Sequence, residues 1–184
     1  MSYGILFLRV VVGLTVAAHG AQKLFGSLGG HGPRGTAGFF DTLGFRAPLV
    51  MAFAAGTAEL GGGLLLATGF LTPLAALAIA VVMLNAIFTV HWRNGFWNGN
   101  GGYEFNLAIW SVAVAIAAIG SGRFSLDALI GWSNSISGLW WGVGAAGLSA
   151  AVSTLTLTLG RRREAPVKAL QSVGGDGAAR PEAA

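Results

Sequence analysis

Five long apolar segments dominate this chain of 184 residues. They cover residues 4–25, 49–69, 73–92, 104–119 and 139–160. A helix of about 20 mostly apolar residues crosses the hydrocarbon core of a bilayer. Only 10% of the residues are charged, against about 25% in soluble domains, so a water-soluble fold would lack surface charge. The sequence predicts an all-α, polytopic transmembrane bundle with a four-helix core and a fifth transmembrane helix.

The basic residues predict how the chain is oriented in the membrane. Five spans place one group of them on a single side: Lys23, Arg34, Arg46, Arg93 and the basic residues of the tail. Arg9 and Arg123 lie toward the other side. Since basic loops stay in the cytoplasm, we expect an inner-membrane protein with a cytoplasmic C-terminus. We divide the chain into a four-helix domain (1–131), an additional transmembrane helix (132–160) and a disordered basic tail (161–184).

Ionisable side chains at membrane depth are costly and point to function by default. Antiparallel packing brings the end of the first span, the end of the third and the start of the fourth to one face of the membrane. The middle of the second span lies beneath them. We therefore predict an intramembrane polar site of seven residues, without assigning catalytic roles: His19, Lys23, Glu59, His91, Trp97, Glu104 and Asn106. Within it, Lys23 is placed to pair with Glu104, and Glu59 with His19.

A second polar group lies at the opposite face and has a structural interpretation. Arg9 is inside the first span, and Arg123 and Asp127 follow the fourth. An Arg9–Asp127 pair, or an Arg9 side chain that reaches the interface, would explain an arginine at this depth.

Small residues recur at helical spacing and predict close helix contacts. One row is Gly13, Ala17 and Ala21, and Gly61–Gly63 lie beside Glu59. A longer stripe over residues 138–158 repeats every fourth position: Gly138, Gly142, Ala146, Ala150, Thr154 and Thr158. It predicts packing against the bundle or against a second copy in a homo-oligomer.

Several classes of chemistry are excluded or disfavoured. The chain contains no cysteine, which excludes disulfides, thiolate ligands and thiol redox pairs. The glycine run 61–63 lacks the lysine of a phosphate loop, and the loop 93–103 holds a single basic residue, so nucleic-acid binding is not expected. No metal site is predicted. His19 and His91 would make a bis-imidazole haem pair, but no further haem motif accompanies them, and we do not expect haem.

Six sequence blocks resemble the DoxX/DoxD family of small bacterial membrane proteins. They are LRVVVG (8–13), HGAQKLFG (19–26), ELGGGLLLATGFLT (59–72), HWRNGFW (91–97), GYEFNL (102–107) and GRFSLD (122–127). The resemblance covers residues 4–131 and implies a four-helix membrane bundle. Members of the family are associated with membrane-bound oxidoreductases. One branch resembles a subunit of thiosulfate:quinone oxidoreductase, and another belongs to a complex that resists oxidative stress.

The resemblance implies a membrane subunit of a quinone-linked oxidoreductase or of an oxidative-stress-protective complex, with soluble or membrane redox partners. A quinone head group would enter the polar site, where His19 or Glu104 exchanges protons and Lys23 stabilises the anionic form. Two alternatives stay open. Glu59 at mid-depth is also compatible with a small-solute or lipid transporter. The tail and the loop 26–48 are compatible with a scaffold that recruits soluble redox enzymes.

Overall fold

A computed structural model describes residues 2–162, and this part of the chain folds into helices joined by short loops. The helices are α1 (Ser2–Phe25), α2 (Gly32–Thr42), α3 (Pro48–Thr68), α4 (Thr72–Ala86), α5 (Glu104–Ile119), α6 (Leu126–Leu129) and α7 (Leu139–Leu159). Four helical stretches are long and apolar enough to cross a membrane: α1, α3, α4 with its continuation to Asn94, and α7. The all-α bundle predicted from the sequence is confirmed.

The long helices form one bundle. α1 packs on α3, α3 on α4, and α4 on both α5 and α7, while α5 also packs on α7. Residues from several of these helices build the common core, among them Val16, Leu66, Ile79 and Ile116. α5 has 16 residues and a length of about 24 Å, yet it runs between the same two ends of the bundle as its longer neighbours.

The chain path gives the bundle two distinct ends. At the cavity end, α1, α4 and α7 finish and α3 and α5 begin, and α2 packs there on α1 and α3. At the Arg9 end, α1 and α7 begin, α3 turns into α4, and α5 is followed by the segment 120–138 with α6.

Glycines allow α1 and α3 to approach until their backbones touch. A Cβ built on Gly63 would lie 2.5 Å from Ala17 N and from Gly13 O. A Cβ on Gly20 would meet the backbone of Gly56 and Leu60. The predicted contact row is therefore correct at Gly13 and Ala17, but Gly20 takes the place expected for Ala21.

The start of α4 is capped from a distant part of the chain. The helix begins at Thr72, and its N-cap residue is Leu71, at φ 47°. The cap is the carboxylate of Asp127, which accepts hydrogen bonds from Leu71 N (2.8 Å), Thr72 N (3.1 Å) and Thr72 Oγ1 (2.6 Å). This carboxylate satisfies helix N-terminal donors that have no partner within the helix.

Asp127→Asn is expected to lower the free energy of unfolding by about 2 kcal/mol, because an amide group turned toward these three donors accepts at one oxygen and opposes a donor with its nitrogen. Unfolding by SDS in mixed detergent micelles measures this. Asp41→Asn is the matched control: Asp41 pairs with Arg162 at an exposed position, where loss of an ion pair costs about 0–1 kcal/mol. Equal effects of the two substitutions would contradict the capping role.

Arg9 is buried at the same end, and its guanidinium is held by carbonyl oxygens and not by a carboxylate. It is fully shielded and donates to the carbonyl oxygens of Ser121 and Phe124. Its guanidinium lies against Gly69, where any side chain would collide with it. Both oxygens of Asp127 accept from Leu71 and Thr72, so the described residues show no direct Arg9–Asp127 ion pair. The carbonyl oxygens that hold the guanidinium belong to the loop at the Arg9 end. Arg123 is exposed beside the ring of Phe124.

α7 packs on the bundle through a face that overlaps the predicted stripe at one residue. The buried residues are Gly142, Ala145, Ser149 and Ser153. Ser149 accepts from Trp110 Nε1 at 3.3 Å, and Ser153 donates to Val81 O at 3.3 Å. The exposed residues of the stripe are Gly138, Ala150, Thr154 and Thr158. α7 buries this face because Ser149 and Ser153 form hydrogen bonds with residues of α5 and α4. The spacing of small residues does not predict these partners.

The last described residues contact the loop between α2 and α3. Arg46 N donates to Gly160 O and Arg162 N to Gly44 O, both at 2.8 Å, and Arg161 Nε donates to Leu43 O at 2.9 Å. We call this contact of residues 43–46 with residues 160–162 the clamp. The rest of the predicted disordered tail lies outside the described residues.

Candidate functional site

A cavity of about 640 Å³ opens inside the bundle at the cavity end. Side chains from α1, α2, α3, α4, α5 and α7 line it, together with loop residues Phe45 and Asn98. Its volume falls within the about 300–1,000 Å³ typical of small-molecule sites. Five of the seven predicted site residues line this cavity: His19, Lys23, Glu59, His91 and Asn106.

The wall of the cavity contains a buried ion pair. Lys23 Nζ lies 2.5 Å from Glu59 Oε2, and the two side chains are 25% and 5% exposed. The glycine contacts between α1 and α3 set this pairing, because they bring Gly56 to Lys23, within one turn of Glu59. Lys23 therefore pairs with Glu59 and not, as predicted, with Glu104. Glu59 and His19 line the same cavity, but no direct bond joins them among the described residues. A charge pair held in an apolar bundle presents both a proton donor and an anionic acceptor to a ligand.

The two histidines that line the cavity are held by partners close to them in the sequence. His19 Nδ1 lies 3.0 Å from Gln22 Oε1, and His91 Nδ1 lies 2.7 Å from Gly101 O. A π-helical turn over Ile87–His91 continues α4 and carries Thr89, Val90 and His91 into the cavity wall. Such turns widen a helix and are frequent at functional sites.

Two asparagines add amide groups to the same wall. Asn106 Nδ2 donates to Met83 Sδ at 3.6 Å, a weak bond to a soft acceptor. Asn85 Nδ2 donates to Val81 O at 3.0 Å, while its Oδ1 is buried and has no partner among the described residues. Asn85 was not among the predicted site residues, although a lone amide deep in an apolar span was a signal for it.

The remaining wall is apolar and comes largely from elements that the site prediction left out. α2 and the following loop supply Phe39, Phe40 and Phe45. α3 supplies Met51 and three alanines, and α7 supplies Val152 and Thr156. α2 begins at Gly32, because Pro33 in its first turn favours helix initiation. The amphipathic pattern of α2 could have predicted that one face of this helix covers a cavity.

Trp97 and Glu104 lie outside the cavity lining. Trp97 is 65% exposed and packs edge-on against Phe96. Glu104 Oε2 accepts a hydrogen bond from Asn98 N at 2.9 Å, which fixes the loop that places Asn98 at the cavity. The sequence located both residues at the correct end of the bundle. Hydrogen bonds in the loop turn Trp97 and Glu104 away from the cavity, and the spacing of residues in the sequence does not predict these bonds.

The fold and the site define a class: an integral membrane helix bundle with an internal cavity that is polar on the side of α1 and apolar toward α7. Comparison with known sequences identifies the family. The DoxX family model matches residues 4–92. A protein of Bacillus subtilis (strain 168), named "Putative oxidoreductase CatD", is 32% identical over 127 residues, which are 69% of this chain and 87% of that protein. This chain belongs to the DoxX family. No solved structure matches it.

Proposed function

We propose that the cavity binds the head group of a quinone and that the protein is the membrane subunit of a redox system. The observation that carries this proposal is the Lys23–Glu59 pair, buried in the wall of a cavity of ligand size. The name of the Bacillus subtilis relative, which contains the word oxidoreductase, supports it.

The chemistry of the wall fits such a head group. A quinone has carbonyl oxygens that accept hydrogen bonds, and its reduced form has hydroxyl groups that donate them. Lys23 Nζ is a donor to the oxidised form, and Glu59 is an acceptor for the reduced form. The flat ring would lie against the apolar side chains of Met51, Phe40 and Phe45, which line the same cavity.

The chain's own residues would handle protons. Reduction of a quinone consumes protons and electrons in equal number. Glu59 and His19 lie in the wall and would pass protons taken up from water at the cavity end to the ring oxygens, while Lys23 stabilises negative charge on them. Glu59 is a better candidate than Glu104 for proton transfer, because Glu59 lines the cavity and Glu104 does not. The chain has no cysteine, so in this proposal the electrons come from a separate soluble or membrane redox protein.

We further propose that the protein lies in the bacterial plasma membrane with its cavity end in the cytoplasm. Five arginines lie at this end among the described residues: Arg34, Arg46, Arg93, Arg161 and Arg162. Basic residues favour the cytoplasmic side, and they would attract an acidic redox partner there. Self-association through the exposed residues of the 138–158 stripe stays a prediction.

Glu59→Gln is expected to weaken binding of the reduced quinone by about ten-fold or more, because it removes the charged acceptor for the hydroxyl groups of that form. Titration of the purified protein in nanodiscs with a menaquinol under anoxic, reducing conditions, followed by quenching of tryptophan fluorescence, measures this.

Glu104→Gln is the matched control. Glu104 does not line the cavity, and a glutamine oxygen still accepts from Asn98 N. Its binding constant should equal that of the wild type. Equal weakening in both variants, or unchanged binding in Glu59→Gln, would contradict the proposed site. Uptake of a solute into proteoliposomes that Glu59→Gln abolishes would favour a transporter instead.

A further inference from the structure

We propose that the cavity opens sideways into the bilayer between α3 and α7, and that its ligand is an amphiphile whose apolar chain lies in this opening. This inference rests on the proposed function for the identity of the head group. The opening itself follows from the packing of the helices alone.

The two helices that border the opening pack against different neighbours. α3 packs on α1, α2 and α4, whereas α7 packs on α4 and α5. Both nevertheless line the cavity, through Met51, Ala54, Ala55 and Ala58 on α3 and through Val152 and Thr156 on α7. The cavity therefore occupies a gap between two helices that are not packed along their length.

Exposed lining residues mark where the gap reaches the outside. Ala54 lines the cavity and is exposed. Val152 on the facing helix also lines the cavity and is 40% exposed. The α3 side of the gap is built from alanines, whose short side chains leave room between the helices.

The depth of the opening places it against lipid. The clamp joins residues 43–46 to residues 160–162 and closes the gap at the cavity end. Thr156 and Val152 precede Gly160 by four and eight residues, or about 6 and 12 Å along a helix. The opening thus lies inward of the clamp, at a level where the bundle faces hydrocarbon.

The polarity of the cavity assigns the orientation of the ligand. The charged pair Lys23–Glu59 lies on the α1 side, and alanine, valine and methionine side chains line the path to the opening. A polar ring would stay beside the pair, and an attached hydrocarbon chain would pass between Ala54 and Val152 into the membrane. A long-chain quinone has this shape, whereas a water-soluble substrate does not need the opening.

The first test measures the opening without any ligand. The chain has no cysteine, so Ala58→Cys carries a single nitroxide label on the cavity wall. In nanodiscs, this label should collide more often with oxygen, which concentrates in lipid, than with a water-soluble nickel chelate. A higher collision rate with nickel would show that the cavity opens to water and would overturn the inference.

The second test measures the chain of the ligand. Val152→Trp fills the opening and should weaken binding of a long-chain menaquinone by about ten-fold, while binding of menadione, which lacks the chain, stays unchanged. Leu155→Trp is the control, since Leu155 is exposed on α7 and does not line the cavity. It should change neither constant. Equal effects of Val152→Trp on both quinones, or no effect on either, would overturn the inference. If the wild type binds no quinone, the proposed function fails and the nitroxide result alone decides whether the opening exists.

Discussion

Lys23→Met is expected to lower the free energy of unfolding by about 3 kcal/mol. Removing one partner of a buried ion pair leaves an uncompensated charge, at a cost of about 3–5 kcal/mol. Glu59 is 5% exposed and Lys23 is 25% exposed, so the lower end of this range applies. SDS unfolding in mixed micelles, followed by tryptophan fluorescence, measures the change.

The double variant Lys23→Met/Glu59→Met separates structure from function. Replacing both partners of a buried pair by apolar residues is often neutral or stabilising, so the double variant should regain most of the stability lost in the single one. Quinone binding should not return, because both members of the ion pair that is proposed to bind the ring oxygens are gone. A double variant as unstable as Lys23→Met would show that the pair is not the source of the loss. A double variant that binds quinone like the wild type would remove the pair from the proposed site.

Gly63→Val is expected to destabilise the bundle by about 3 kcal/mol, at the upper end of the cost of overpacking. The new Cβ would lie 2.5 Å from Ala17 N and Gly13 O. These are backbone atoms of α1, which cannot rotate away as a side chain would. α1 and α3 must therefore separate, and van der Waals contact between helices is a main source of stability inside a membrane. Unfolding in SDS and the yield of monodisperse protein after purification both report the loss.

Gly61→Val is the matched control on the same helix. No atom lies within 4 Å of a Cβ built on Gly61, and the intrinsic helix propensity changes identically in both variants. This variant should be as stable as the wild type or more so. A loss at Gly61 equal to that at Gly63 would mean that helix propensity or insertion, and not the α1–α3 contact, limits stability. Because Gly63→Val separates α1 from α3, it should also move Lys23 away from Glu59.

The sequence was sufficient to bring most of the candidate site together. Spans of known length that alternate in direction place the ends of α1 and α4 beside the start of α5, so His19, Lys23, His91 and Asn106 had to lie at one end. The ion-pair partners could not be predicted in this way. They depend on the rotation of α1 and on its level along α3, which the contacts of Gly20 and Gly63 fix to within a residue.

Other parts of the site depend on groups far apart in the chain. Asp127 caps α4 across 56 and 55 residues, to Leu71 and Thr72. The clamp joins the end of α7 to the loop after α2. Backbone donors and acceptors at helix ends bond to groups that the tertiary fold brings close to them. A local sequence pattern does not predict which groups these are.

Composition and the lengths of the apolar segments by themselves determined the solvent, the all-α bundle and the end of the bundle where polar groups gather, because apolar length and charge are properties of each segment alone. The sequence blocks indicated the family. The tertiary structure decided which charges pair, which face of α7 is buried, and that Trp97 and Glu104 turn away from the cavity. It also decided that α3 and α7 stay apart. These features depend on how the helices pack against one another. A shift of one helix by one residue along its axis, or the corresponding rotation about it, would change all of them.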